Sequence, residues 1–311
     1  MSDWYEDGMV DDVRPKLFEL RAQGCSVALA TIVAADGGPR PVGSQMVVAG
    51  DRFWGFLSGG CIEADVALNA RGVLADGQPL RLIYGHGSPF IDMRLPCGGR
   101  IDVLVERIEP DDSAIGELQR LTEARIPAIW RSNGVHRDCR RSGDSGDADD
   151  AATEGRRYDP VWRLLVIGDD PFAIAAAALG QTAGFETRLL APFASTHEPP
   201  FGLAVDRRGL ATALDAWPPD AWTAVIVATH DVDLDDEALT LLLRSDAAYI
   251  GVMGARRRIV ARTRRLLDAG FTDQDIARLR MPLGLPIRAR TAWEVAISAL
   301  GEVIATRRSA T

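Results

Sequence analysis

The sequence predicts an α/β protein in two parts, an N-terminal α/β domain followed by a C-terminal doubly wound parallel sheet. Three observations lead there. With 311 residues the chain is long enough for two cores of ordinary size. From Trp162 onward short apolar runs alternate with helical patterns, as in strands joined by crossover helices. Between the halves, residues 132–160 read SNGVHRDCRRSGDSGDADDAATEGRRYDP, rich in Gly, Ser, Asp and Arg and nearly without apolar periodicity. The predicted division is an α/β domain over 1–110, a connecting helix and flexible linker over 111–160, and a Rossmann-like domain over 161–311.

In the first half, Val10 to about Gln23 reads as an amphipathic helix and CSVALATIVAADGG as a strand entering a Gly-Gly-Pro turn. SQMVVAG and DRFWGFLSGG follow as strands, Cys61 to Ala75 as a helix, and RIDVLVERI as an alternating strand. In the second half WRLLVIG is a buried strand and PFAIAAAALGQTAG a long helix, followed by the strands ETRLLAP, TAVIVATHD and AAYIGVMG. A doubly wound sheet binds ligands beyond the C-terminal ends of its strands, here around Gly168, Thr229-His230 and Gly254.

Composition narrows the function classes. A hydrophobic content of 47% with 25% charged residues describes a soluble globular protein. The net charge of -9 argues against nucleic acid and leaves a small anion as the expected partner, met by a local basic patch at Ala255-Arg256-Arg257-Arg258. The acidic start MSDWYEDGMVDDV lacks a secretory pattern, and no apolar stretch approaches the roughly 20 residues of a membrane span. The expected compartment is therefore the cytoplasm, with no membrane partner. Cys25, Cys61, Cys97 and Cys139 form no CxxC pair, so neither structural zinc nor a disulfide framework is expected. Lys16 is the single lysine, which excludes a Walker-type phosphate loop and a buried Schiff-base lysine.

Two glycine-flanked thiols stand out, in Ser58-Gly59-Gly60-Cys61 and in Pro96-Cys97-Gly98-Gly99. Glycine pairs let the backbone turn sharply and let a ligand approach it closely. Cys61 lies where a strand gives way to a helix, so free backbone N–H groups and the helix dipole should favour its thiolate, while Glu63 and Asp65 in the first turn oppose it. If the two loops converge, they form one site of two soft sulfur ligands suited to a thiophilic metal. The alternative for each is a small apolar residue at a tight turn. His86, between glycines in YGHGSP, is a candidate for the same site as Cys97; Cys139 sits among arginines that would lower its pKa, but reads better as an incidental cysteine of the linker.

In the second half Gly254, a helix start, and Arg256 and Arg257 form the candidate phosphate site, with Arg258 reading equally as a solvated helix face. His230, between Thr229 and a helix-capping Asp231, either touches a ligand in the crevice or is partly buried. Glu294 spells a capping box with Thr291. At VIGDDPFA the second glycine of a dinucleotide fingerprint is replaced by Asp170, which reads as an N-cap before Pro171, and the acid closing the second strand is replaced by Ala191. NAD and NADP are therefore not expected as cofactors.

LATIVAADGGPRPVGSQMVV, LSGGCIEADV, LPCGGRIDVLVE, THDVDLDDEAL, YIGVMGARRR and MPLGLPIRARTAWEVAISALGEVIA occur in that order. Together they resemble the xanthine dehydrogenase accessory (XdhC/CoxI) family, whose pattern differs here in that Ala255 stands where a serine is usual. The resemblance implies a chaperone that binds molybdenum cofactor, as molybdopterin or its dinucleotide form. It implies protection of that cofactor while a cysteine desulfurase supplies the sulfido ligand, and insertion into a molybdenum hydroxylase. A homodimer is implied by the same analogy. Two other functions remain open from the residues: an NAD(P)-dependent oxidoreductase, from the strand-glycine-helix opening, and a sulfurtransferase carrying a persulfide on Cys61 or Cys97.

Overall fold

A ten-residue strand, β1 (Val27–Asp36), organises the first half of the chain because its side chains serve two cores at once. Ala28, Ala30 and Ile32 enter one core, and Val27 and Leu29 the other, as the period of two requires. The computed structural model describes residues 11–38, 40–88, 98–143 and 154–309, and the chain divides after Pro160 into two units.

In the first unit β1 pairs antiparallel with β2 (Gln45–Ala49) and β5 (Arg100–Ile108). With β3 (Arg52–Gly55) and β4 (Leu80–Gly85) they form a five-stranded sheet in the order β3-β2-β1-β5-β4. Helix α2 (Glu63–Asp76) contributes Val66, Ala70 and Val73 to the core on one face. Leu17 and Leu20 of α1 (Arg14–Ala22) and Ile115, Leu118 and Leu121 of α3 (Ser113–Glu123) join the core on the other.

The tract expected to be a linker is structured on both sides of residues 144–153, which lie outside the described residues. Three strands, β6 (Ala128–Ser132), β7 (Arg137–Arg141) and β8 (Glu154–Tyr158), make an antiparallel sheet in the order β7-β6-β8. Buried Trp130 and Tyr158 anchor it in the α1/α3 core. Ion pairs fasten it as well: Arg137 reaches Glu106 at 3.1 Å and Asp112 at 2.7 Å. Cys139 corrects a second expectation. Burial, with Glu117 and Asp138 nearby, pushes its thiol up to about 12, against the weaker opposite pull of Arg120.

The second unit has a six-stranded parallel sheet of β9 (Arg163–Ile167), β10 (Glu186–Leu190), β11 (Val205–Asp206), β12 (Thr223–Val227), β13 (Tyr249–Val252) and β14 (Leu279–Arg280). Their order is β11-β10-β9-β12-β13-β14, the doubly wound order that reverses between β9 and β12. Helices α4 (Pro171–Thr182) and α9 (Ala292–Ser309) share one core with Leu164, Val166 and Ile226 of the sheet. The other core takes α5 (Leu210–Ala216), α6 (Val232–Leu243), α7 (Arg256–Asp268) and α8 (Asp273–Ile276), packed around Leu165, Ile167 and Val225. Among the described residues no helix is long and apolar enough to cross a membrane.

Gly168 ends β9 at the reversal, with φ +137. A Cβ there would collide with the Ala228 carbonyl oxygen of the neighbouring strand exit. Gly168→Ala should therefore lose about 3 kcal/mol or more of stability through backbone strain and overpacking. Urea unfolding checks this; a midpoint equal to the parent's would refute it.

Candidate functional site

The turn from β3 to α2 is built around one carboxylate. Glu63, the first residue of α2, is 2% exposed and folds back under the loop. Its Oε1 accepts from the backbone N–H groups of Leu57, Ser58 and Gly59 at 2.9, 2.7 and 3.1 Å. Its Oε2 accepts from the N–H groups of Gly60 and Ile62 at 2.9 and 3.2 Å and from the Ser58 hydroxyl at 2.8 Å. The Ser58 Oγ in turn accepts from the N–H groups of Cys61 and Ile62 at 2.9 and 3.2 Å. Gly59 and Gly60 take φ values of +93 and +114, which is how successive amides point at one centre. Burial tends to raise the Glu63 pKa, but these donors outweigh it and hold the carboxyl at about 2.

The geometry corrects the reading of Cys61. The amides expected to be free for its thiolate are occupied by Glu63 and by Ser58, and the loop presents the exposed Cys61 side chain on a fixed turn. Asp65 is also engaged, accepting from Tyr84 Oη at 2.6 Å. Sequence reasoning placed Glu63 only as a charge opposing the thiolate; the signal for its actual role is a Ser and a Glu bracketing Gly-Gly directly before a helix.

Cys97 lies outside the described residues. Of its neighbours, Gly98 has φ +74, and Gly99 packs against backbone: a Cβ on it would sit 2.5 Å from the Gly37 carbonyl oxygen. A Cβ on Gly85 would in turn collide with the Gly99 carbonyl oxygen. Close approach of three strand ends accounts for Gly99. His86 is exposed on the same turn, its N–H 3.4 Å from that oxygen. Among the described residues no group of three or more His, Cys, Asp or Glu is placed to hold a metal ion.

In the second unit the candidates gather at the C-terminal ends of the strands, around the Thr229-His230-Asp231 turn after β12. One hollow beside this turn is lined by Gly168, Asp169, Asp170, Ala191 and His230. Asp170 caps α4, one oxygen accepting from the Ala173 N–H at 2.8 Å, and the other lies 3.1 Å from Nε2 of the exposed His230. Asp231 caps α6, accepting from the N–H groups of Asp233 and Leu234 at 2.9 and 3.1 Å.

The second hollow beside the turn is lined by Arg258, Arg262 and Arg265 of α7 and by Asp235 of α6. Gly254 has φ +143, and the N-cap of α7 is Ala255, which has no side-chain acceptor. The helix therefore begins without the cap that Asp170 and Asp231 give to α4 and α6. Of the three arginines at its start, Arg258 lines the hollow, Arg257 is exposed elsewhere on the helix, and the Arg256 side chain lies outside the described residues. Glu294 makes the capping box, accepting from the N–H groups of Arg290 and Thr291 at 2.7 and 3.0 Å, with the Thr291 hydroxyl accepting from Glu294 at 3.3 Å.

Glu63 sets a pH dependence. A carboxyl held at about 2 in the folded chain, against an ordinary 4.5, contributes stability that is complete above pH 4.5 and is lost as the pH falls from there to about 2. Glu63→Gln should cost about 2–4 kcal/mol at pH 7, because an amide can accept only part of this donor set. It should also flatten the fall in stability below pH 4.5. Denaturant midpoints from pH 7 to pH 3 check both; parallel curves for variant and parent would refute the assignment.

Comparison with known proteins agrees with this architecture. The family model described as "XdhC Rossmann domain" matches residues 164–303, and that described as "XdhC and CoxI family" matches residues 20–85. The molybdenum cofactor insertion chaperone PaoD of Escherichia coli K12 is 29% identical over 310 residues, covering 96% of this chain and 90% of its own. A probable xanthine dehydrogenase subunit from Bacillus subtilis 168 is 26% identical over 323 residues, covering 90% of this chain and 93% of its own. A crystal structure described as a xanthine dehydrogenase from Bacillus halodurans shares the fold, with a TM-score of 0.76 at 24% identity and 96% of both chains covered. With both halves matched by models of one family and the doubly wound order present in the second, the chain belongs to the XdhC and CoxI family.

Proposed function

We propose that this protein is a cytoplasmic maturation chaperone. Its cargo is molybdenum cofactor, which it protects while a cysteine desulfurase provides sulfur for the sulfido ligand. It then delivers the cofactor to a molybdenum hydroxylase of the xanthine dehydrogenase type. The family membership and the likeness to an insertion chaperone support this reading. The structural observation that carries it is the turn locked by Glu63, which keeps an exposed thiol at a fixed place without using that thiol in the fold.

Each unit, taken by itself, offers chemistry suited to a molybdenum pterin. The Cys61 thiol is a soft ligand of the kind molybdenum accepts, and Cys97 carries a second thiol of the same kind. The α7 start, with an uncapped helix, Gly254 and arginine side chains, suits a phosphate of the pterin in either its mononucleotide or dinucleotide form. Gly168 belongs to the neighbouring hollow, which His230 also borders, and there Asp169 and Asp170 would repel a pyrophosphate by about 1 kcal/mol per close charge pair even in bulk water. NAD and NADP are therefore not assigned as ligands, and calorimetric titration with either should show no binding tighter than about millimolar. A micromolar constant would revive the oxidoreductase reading.

Co-expression with a molybdenum-cofactor supply, followed by metal and pterin analysis of the purified protein, tests the cargo. Cys61→Ala should lower retained molybdenum at an unchanged unfolding midpoint, because it removes an exposed thiol from a turn rather than a side chain from a core. Full loading of the variant would refute the thiol contact. The exposure of Cys61 favours one second reading, a persulfide carrier, which mass spectrometry separates by detecting an added sulfur on Cys61.

A further inference from the structure

We infer that the buried guanidinium of Arg262 is the floor of a phosphate-binding hollow beside the start of α7, bordered by Thr229, Asp235 and Arg258. The inference deepens the assignment of the α7 start as an anion site and rests on it. Arg262 is 3% exposed. Its Nε and Nη2 donate to the two oxygens of Asp235 at 2.6 and 2.8 Å, and Nη2 also lies 3.3 Å from the Met253 carbonyl oxygen. Nη1 meets no acceptor among the described residues. A Cβ on Gly254 would stand 3.4 Å from that nitrogen and 3.9 Å from Cδ of Arg258, so the glycine borders both arginines.

A buried guanidinium with two donors engaged and the third arm open is a directional anion contact. Around it the other charges are largely accounted for. Arg265 donates to both oxygens of Asp236 at 2.9 and 2.7 Å. Asp231 is occupied by the amides of its own helix. Arg258 has no carboxylate partner among the described residues, and the uncapped α7 start adds the positive end of a 13-residue helix. Asp235 then has two roles. It holds Arg262 in register between α6 and α7, and by neutralising it keeps phosphate binding weak enough for a bound group to leave, as a delivery protein requires.

Calorimetric titration of the full chain with inorganic pyrophosphate at low salt tests this. Arg262→Lys keeps a cation for Asp235 but has no third arm, and should bind pyrophosphate about tenfold more weakly or worse. Asp235→Asn removes the neutralising charge while keeping the shape, and should bind it at least about threefold more tightly. Opposite shifts cannot come from a common loss of fold, and unfolding midpoints recorded alongside identify any variant that does not fold. Should one of them fail to fold, Arg258→Ala, at an exposed position, should still weaken binding severalfold. Absence of pyrophosphate binding by the parent, Arg262→Lys binding as the parent does, or weaker binding by Asp235→Asn would overturn the inference. The cargo is tested separately: molybdenum and pterin retained by a parent that ignores pyrophosphate would remove this hollow and leave the cargo standing. Pyrophosphate bound through Arg262 by a chain that retains neither would sustain the hollow and remove the cargo.

Discussion

The carboxylate of Glu63 and the amides of residues 57–60 and 62 need one another. A buried charge is tolerable only with a full set of donors, and a turn through two left-handed glycines leaves its N–H groups pointing inward with no acceptor of their own. Each solves the other's problem, and the result is a turn whose shape does not depend on what approaches it. The thiol of Cys61 is carried on its outer side. A soft nucleophilic group is thereby placed by the fold and yet contributes nothing to holding it, which leaves the thiol available for chemistry.

A different constraint governs the second unit. Reversal of strand order between β9 and β12 opens a crevice at their C-terminal ends, and the residues at each strand exit set the charge of what can enter. Asp169 and Asp170 make the β9 side acidic, and Asp170 also takes up an amide of α4 that a pyrophosphate would need. On the β13 side Ala255 leaves the helix start open and arginines line the hollow. The Thr229-His230-Asp231 turn borders both hollows, so two neighbouring recesses on one sheet edge differ in charge.

Legibility in the sequence followed the kind of force involved. The strands of the second unit were readable because runs such as Leu164-Leu165-Val166-Ile167 are buried on both faces and need no partner to be recognised. β11 and β14, two residues each, left no pattern to read. β7 and β8 escaped notice because their sequences are charged; they are held by cross-strand pairing to β6, by Trp130 and Tyr158, and by Arg137 reaching Glu106 and Asp112. The positions of Cys61, Gly254 and Glu294 could be placed from local spacing alone. The role of Glu63 is masked by its charge, which counts against the thiolate until the turn is known, and that of Arg262 is hidden because it meets Asp235, 27 residues upstream. A pair that distant has no signature in spacing.

Whether the fixed turn delivers its thiol to molybdenum is tested most directly by X-ray absorption at the molybdenum edge, on protein purified with its cargo. The parent should show a sulfur scatterer that disappears in Cys61→Ala, with the remaining sulfur shell unchanged. An identical sulfur shell in parent and variant, at equal molybdenum content, would contradict a contact between Cys61 and the metal.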